Sequence, residues 1–254
     1  MILHEVDFPK DIDFLEYKAI SDTHIGDPNF DDQLLQEDID WCKEEEYRRI
    51  LLNGDILNCA TVRSVSDTYS NKLTPHQELK YARKAFEPVK DHIDGMVTGN
   101  HERRIQRDDG VDLSEELALS LGTFYQPEGL ILKVRFGKRT KNHKKQVYTI
   151  YQTHGFTGSR MVGGKANRLQ KLRNIVVADI YIVSHSHQKI TFPMKIHLPD
   201  LYNNVVREVT QTFVNTGAYL KYGGYGQVKS YSPTDRGTPT IRLYGKKKKV
   251  EVIM

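Results

Sequence analysis

Five short segments spread along the chain each place oxygen or imidazole side chains directly after a short apolar run. In order they are Asp22-Thr23-His24, Gly54-Asp55, Gly99-Asn100-His101-Glu102, His154-Gly155 and His185-Ser186-His187. An apolar run that stops at such residues reads as a strand end. A layered sheet lines its strand ends along one edge, where side chains far apart in sequence meet. Gly54 and Gly99 free the backbone to turn sharply there, so that the next side chain faces the shared edge. The pattern therefore selects folds in which several strands finish side by side.

The stretches between these segments supply the layers. Residues 18–21, 50–52 and 95–98 are expected as short strands ending at the first three segments. Residues 32–46 carry Leu34, Leu35, Ile39, Trp41 and Cys42 amid charges, the spacing of an amphipathic helix. Residues 75–92 repeat it with Leu79, Ala82, Phe86 and Val89, and Pro75 opens the first turn. The second half is richer in strands, at 130–136, 146–153 and 180–183, with a helix at 165–174. Residues 189–197 and 205–215 read as a hairpin that turns at 199–204. Strand–helix alternation followed by successive strands predicts an α/β (α+β) fold, a layered β-sandwich flanked by helices with its site at the strand ends. With no linker, repeat or low-complexity tract, residues 1–254 are expected to form a single domain.

Composition narrows the class. The chain is 38% hydrophobic and 28% charged, as globular proteins are, and its apolar runs are far too short to span a membrane. The first residues are acidic and interrupted by Pro9, unlike a signal peptide, and Cys42 and Cys59 make no disulfide framework. A cytoplasmic protein with reduced thiols is the expectation. Charge is divided unevenly: residues 1–127 hold 14 Lys and Arg against 27 Asp and Glu, and residues 128–254 hold 23 against 6. A one-sided basic excess points to a polyanionic partner.

Taken singly, each segment is unremarkable, since a lone D-x-H is often a capped turn and a lone histidine is usually structural. As an ordered set they form a ligand inventory. Imidazole with carboxylate suits Mn²⁺, Zn²⁺ or Fe, whereas oxygen cages for Ca²⁺ or Mg²⁺ need no histidine. Seven ligands, Asp22, His24, Asp55, Asn100, His154, His185 and His187, exceed one tetrahedral ion and match two ions sharing a carboxylate. His4, His76, His92, His143 and His197 fall outside the set and are expected to be structural.

The ordered segments resemble the calcineurin-like metallophosphoesterase superfamily, whose motifs read D-x-H, G-D, G-N-H-[DE], H and G-H-x-H. The resemblance runs from Asp22 to about Gly217, where Asn215-Thr216-Gly217-Ala218 is similar to the turn that follows the last motif. Ser184 departs from it by replacing the usual glycine. The resemblance implies that Asp22, His24 and His187 hold one divalent metal, that Asn100, His154 and His185 hold a second, and that Asp55 bridges them. It implies hydrolysis of phosphoesters by metal-activated hydroxide, with His101 beside the leaving oxygen as general acid or charge stabiliser. Mn²⁺ leads among candidate ions, ahead of Zn²⁺, Fe or Ni²⁺. Glu102 either orients its neighbours or pairs with an arginine, and Arg103 and Arg104 are apt for binding substrate phosphate.

Substrate class is less constrained. Two lysine-rich runs, residues 138–145 and 246–249, and the aromatic and glycine stretch 219–226 lean towards DNA or RNA as the phosphate-ester partner. The expected activity is nuclease-like phosphodiester hydrolysis. The alternatives are a phosphomonoesterase or nucleotide phosphatase for small substrates, and a metal-bound protein that binds nucleic acid without turnover.

Overall fold

A computed structural model of the chain describes residues 2–62, 64, 68–137, 146–156, 158–228, 230 and 232–254. In chain order the strands of the first half are β1 (Leu3–Phe8), β2 (Phe14–Ile20), β3 (Arg48–Asn53) and β4 (Ile93–Val97). The later strands are β5 (Leu130–Phe136), β6 (Val147–Gln152), β7 (Ile180–Val183), β8 (Ile190–Asp200), β9 (Val205–Asn215), β10 (Thr240–Tyr244) and β11 (Val250–Ile253). The main helices are α1 (Asp32–Lys43), α2 (Pro75–Phe86), α3 (Glu102–Asp109), α4 (Leu113–Leu121) and α5 (Val162–Lys171).

The strands form two sheets, ordered β11-β10-β2-β3-β4 and β1-β5-β6-β7-β9-β8. Side-chain alternation assigns their faces. Leu15, Tyr17 and Ala19 of β2, Leu51 of β3 and Ile241 and Leu243 of β10 are buried against Leu132, Val134, Tyr148, Ile150, Ile180, Ile182 and Val214 of the other sheet. On the outer face of the five-stranded sheet, Ile20, Ile50, Leu52 and Ile93 pack under Leu35 and Ile39 of α1, Leu79 and Phe86 of α2 and Leu117 of α4. On the outer face of the six-stranded sheet, Tyr151, Tyr181 and Phe213 meet Leu169 of α5. The result is the expected helix-flanked sandwich. Because β3 is covered on both faces, Ile50-Leu51-Leu52 is continuously apolar rather than alternating.

Parallel pairing places the site. Strands β2, β3 and β4 run parallel in register Ile20↔Leu52 and Asn53↔Val97. Strands β6, β7 and β9 do the same in register Gln152↔Ile182 and Val183↔Asn215. Each group therefore finishes together, and the polar segments follow directly.

Three helices differ in their bounds from the sequence reading, and strands β2, β3, β4 and β8 are shifted or longer than expected. The expected helix 75–92 ends at Phe86 and continues as a 3₁₀ turn over Glu87–His92, since Pro88 lacks an N–H and Val89 leaves helical geometry. The helix expected at 165–174 starts earlier, at Val162, and closes with a 3₁₀ turn over Leu172–Asn174. The helix expected to reach residue 46 ends at Lys43. No helix among the described residues is long and apolar enough to cross a membrane. Cys42 and Cys59 are free and buried.

Leu51 lies fully buried between the two sheets. Leu51→Ala should destabilise the fold by about 2–5 kcal/mol. The effect would be read as a lower urea midpoint with an unchanged m-value, and a midpoint equal to wild type would contradict this account of the core.

Candidate metal centre

The loops that leave these strand ends adopt backbone that side chains rarely tolerate. Asp22, His24, Asp55, His185 and His187 all have positive φ, between 46° and 66°. Each such residue costs on the order of 1–3 kcal/mol and persists only where the surroundings enforce it. Five of the seven expected ligands carry this strain, which aims their side chains back over the strand ends. Gly54 and Gly99 make room for it. A Cβ on Gly54 would stand 2.6 Å from the Gly99 nitrogen, and one on Gly99 would stand 2.1 Å from Asp55 Oδ1.

Three ligand groups result, Asp22 with His24 and His187, His24 with Asp55 and His101, and Asp55 with His154 and His185. Within each, the candidate ligand atoms lie within 4.8 Å of one another. Asn100 joins them, its Oδ1 being 3.2 Å from His154 Nε2. The structure thus brings all seven expected ligands and His101 to one place.

Each carboxylate is pinned by one oxygen and presents the other. Asp22 Oδ2 accepts from Ser21 Oγ (3.0 Å) and the His185 amide (3.1 Å). Its Oδ1 is buried without a hydrogen bond of good geometry, 3.2 Å from His187 Nε2 and 3.9 Å from His24 Nε2. Asp55 Oδ1 accepts from the His101 amide (2.8 Å), leaving Oδ2 at 3.2 Å from His154, 3.8 Å from His101 and 4.0 Å from His24. The imidazoles are set in the same manner. His154 Nδ1 donates to Asn53 O (2.9 Å) and His101 Nδ1 to Asn58 O (2.8 Å), so that both Nε2 atoms face the carboxylates.

Electrostatics follow from that geometry. Burial alone would raise both carboxyls, yet the facing histidines hold Asp22 at about 2 and Asp55 well below the usual range. Burial opposes charge on His154, but Asp55 overrides it and raises the imidazole to about 10; His187 is raised likewise by Asp22. Burial dominates at His24, His101 and His185, which are lowered. The two carboxylates thus favour charge on the two histidines that face them most closely. An unpartnered buried carboxylate oxygen among imidazole nitrogens is the donor set of a transition-metal site, so the residues present fit divalent-metal binding.

Glu102 resolves in favour of orientation. Buried at the start of α3, it accepts from the amides of Asp55 (3.1 Å), Gly99 (3.2 Å) and Leu57 (2.9 Å), locking the loops after β3 and β4 together. Ser184 puts its departure from glycine to use: Oγ accepts from Asn53 Nδ2 (2.6 Å) and Thr216 Oγ1 (2.8 Å), joining the two sheets behind the site. Arg104 donates to Ser64 Oγ (3.3 Å) and its charge lowers the His101 imidazole, while Arg103 bonds Pro127 O (2.9 Å) and faces Glu128. The structure therefore holds Arg104 within electrostatic reach of the cluster and engages Arg103 elsewhere.

The other sequence features part company. Tyr219 is fully buried and donates to Asp38, so it is a core residue and offers no face for a base. The lysine run 246–249 forms the turn between β10 and β11. Lys246, Lys248 and Lys249 pair there with Asp13, Asp179 and Glu251. The run 138–145 lies outside the described residues. Of the histidines outside the set, His4 stacks on Phe124 and His92 bonds Arg48 O, both structural uses.

Sequence reasoning missed Ser21, Asn53, Asn58 and Glu78. The first three carry only the weak signal of standing beside a motif. Glu78, on α2, lies beneath the loop, where Oε2 accepts from the Cys59 amide (2.8 Å) and Oε1 from Asn71 (2.9 Å). It holds the turn whose Asn58 carbonyl orients His101.

No protein-family model and no curated protein matches the chain. Among solved structures it is similar to a conserved uncharacterized protein, a predicted phosphoesterase from Streptococcus pneumoniae TIGR4. That match has 14% identity and a TM-score of 0.38 over 95% of this chain and 99% of the other. It is similar to a metallophosphoesterase from Sphaerobacter thermophilus, with 13% identity and a TM-score of 0.40 over 94% and 87%. A third likeness is to GAP50, the anchor in the inner membrane complex of Plasmodium, with 12% identity and a TM-score of 0.46 over 95% and 89%.

Burial pushes the Glu78 carboxyl up to about 7, against the hydrogen bonds from Cys59 and Asn71 that favour its charge. The folded state then holds this proton more tightly than the unfolded chain. The contribution is fully present below the ordinary carboxyl range and is lost as pH rises through about 7. It amounts to about 3 kcal/mol at most. Glu78→Gln should therefore show a shallower loss of stability between about pH 5 and pH 8 in denaturant titrations. Parallel curves for the two proteins would refute the assignment.

Proposed function

We propose that this chain is a dinuclear-metal phosphoesterase that hydrolyses phosphodiester bonds, with nucleic acid as its substrate class. The observation that carries the reading is the pair of pinned carboxylates, each presenting one oxygen to imidazoles from both sheets. Asp22, His24 and His187 would hold one divalent cation and Asn100, His154 and His185 the other, with Asp55 between them. The donor set supports Mn²⁺ first. Bound ions would supply Lewis-acid neutralisation of phosphoryl charge and a lowered pKa for water.

The chain's own residues position and complete the chemistry. His101 stands at the start of α3 with Nε2 turned to Asp55 and Nδ1 fixed on Asn58 O. Burial lowers its imidazole against the pull of Asp55, so a proton placed on Nε2 is readily given up, as protonation of a leaving oxygen requires. Arg104 adds positive charge on that side. Glu102 and Glu78 hold the loops that carry these groups.

Asp55→Asn and His101→Ala should each lower metal-dependent hydrolysis of bis(p-nitrophenyl) phosphate by about 10²-fold or more. Full activity in either variant would remove the named role. Elemental analysis of the purified chain should find about two transition-metal ions per molecule.

The nucleic-acid reading is supported by the basic second half of the sequence. In Mn²⁺ the protein should cleave single-stranded DNA or RNA in preference to p-nitrophenyl phosphate. The reverse preference would favour a phosphomonoesterase, and salt-sensitive binding without cleavage would favour a binding protein.

A further inference from the structure

The rim of the metal cluster carries an aromatic ring that the cluster itself does not use. Phe156, two residues after His154, is 72% exposed. Its ring centre lies 5.9 Å from that of His185, at an interplanar angle of 29°. A phenylalanine this open to water contributes little to a core, and Met161 just before α5 and Val162 at its start are exposed as well.

Cations surround this apolar rim. The Arg168 guanidinium lies 5.9 Å over the Phe156 ring. Lys165, almost one turn earlier on α5, donates from Nζ to Ser186 O (3.1 Å) and Gln188 Oε1 (2.9 Å). Both acceptors are neutral, so neither is a carboxylate that would offset the ammonium beside the His185–His187 turn, and burial lowers its pKa. An open aromatic face flanked by positive charge therefore borders the ligands expected to receive a phosphate. Stacking on one side and phosphate attraction on the other is the recognition chemistry of a nucleotide.

We infer that Phe156 is the stacking platform for the nucleobase of the nucleotide whose phosphate enters the metal cluster, with Lys165 and Arg168 attracting that nucleotide's charge. This rests on the phosphoesterase reading and specifies its substrate as a nucleotidyl unit. Every base has a π-face, so the platform selects nucleotides as a class without reading sequence. Inorganic phosphate and alkyl phosphate esters have no ring to place on it.

Two measurements test the inference. In the first, adenosine 5′-monophosphate and inorganic phosphate are titrated calorimetrically into wild type, Phe156→Ala and Phe156→Trp. The affinity ratio of nucleotide to phosphate should fall roughly 5- to 100-fold in Phe156→Ala and recover in Phe156→Trp. An unchanged ratio would overturn the platform, even if both affinities dropped together.

In the second, kcat/KM is compared for thymidine 5′-(p-nitrophenyl) phosphate and methyl p-nitrophenyl phosphate, which share a leaving group. Phe156→Ala should lower the ratio of the two by a similar factor, mainly through KM, and equal effects on both esters would overturn the inference. Failure of wild type to hydrolyse either ester would count against the phosphoesterase reading alone, because the calorimetric ratio reads stacking without turnover.

Discussion

The Asp22 and Asp55 carboxylates lie almost wholly out of water and within reach of the same histidine, His24. An isolated buried carboxylate is expensive, and two side by side also repel. The structure answers with fixed donors on one oxygen of each: a serine hydroxyl and an amide for Asp22, and an amide at a helix start for Asp55. The other oxygens are left to imidazole protons, which are exchangeable for metal. Full satisfaction by backbone donors would have produced a quieter core and no site. The strained φ values at five ligands are the backbone consequence of turning these groups inward.

That arrangement demands that two sheets end at the same level. Asn53 shows how this is enforced. Its side chain reaches from β3 to Thr153 O and Ser184 Oγ, while its carbonyl receives His154 Nδ1 and Ser21 Oγ. One residue in the five-stranded sheet thus fixes the heights of two loops from the six-stranded sheet. Glu102 does the corresponding work between β3 and β4 by gathering three amides on a single carboxylate. Neither residue needs to touch substrate for its loss to move the ligands.

Much of this was legible in the sequence because strand ends and ligands coincide. Apolar runs stopping at Asp22, Asp55, Asn100, His154 and His185 gave both the parallel strands and the site. Short elements without that mark were harder. Strand β1 alternates apolar with charged residues along a sheet edge, and α3 is too polar and too brief for a clear helical period, whereas α4 does carry one, with Leu113, Leu117 and Leu121 recurring behind the Asp112 cap. Tyr219 misled because adjacency to glycine and lysine suggests an exposed loop, whereas its hydroxyl found a buried carboxylate, Asp38, 181 residues away. The pairing of Lys246 and Lys248 was not legible for a related reason: their carboxylate partners, Asp13 and Asp179, come from elsewhere in the chain. Phe156 gave no sequence signal, since one aromatic residue in a glycine-containing loop says nothing until its neighbours in space are known.

The uneven charge of the two halves acquires a physical sense at the site. The carboxylates at its centre come from the acidic half, on the loops after β2 and β3, and Lys165 and Arg168 come from the basic half, on α5. A polyanion approaching the bare chain would meet two ionised carboxylates only partly balanced by imidazole protons. With divalent cations seated there, the same centre becomes a net attractor, and the α5 side supplies a second attraction offset from it. Under the proposed function, metal loading therefore decides whether a phosphate can enter at all. The offset cations decide from which side the chain carrying it arrives.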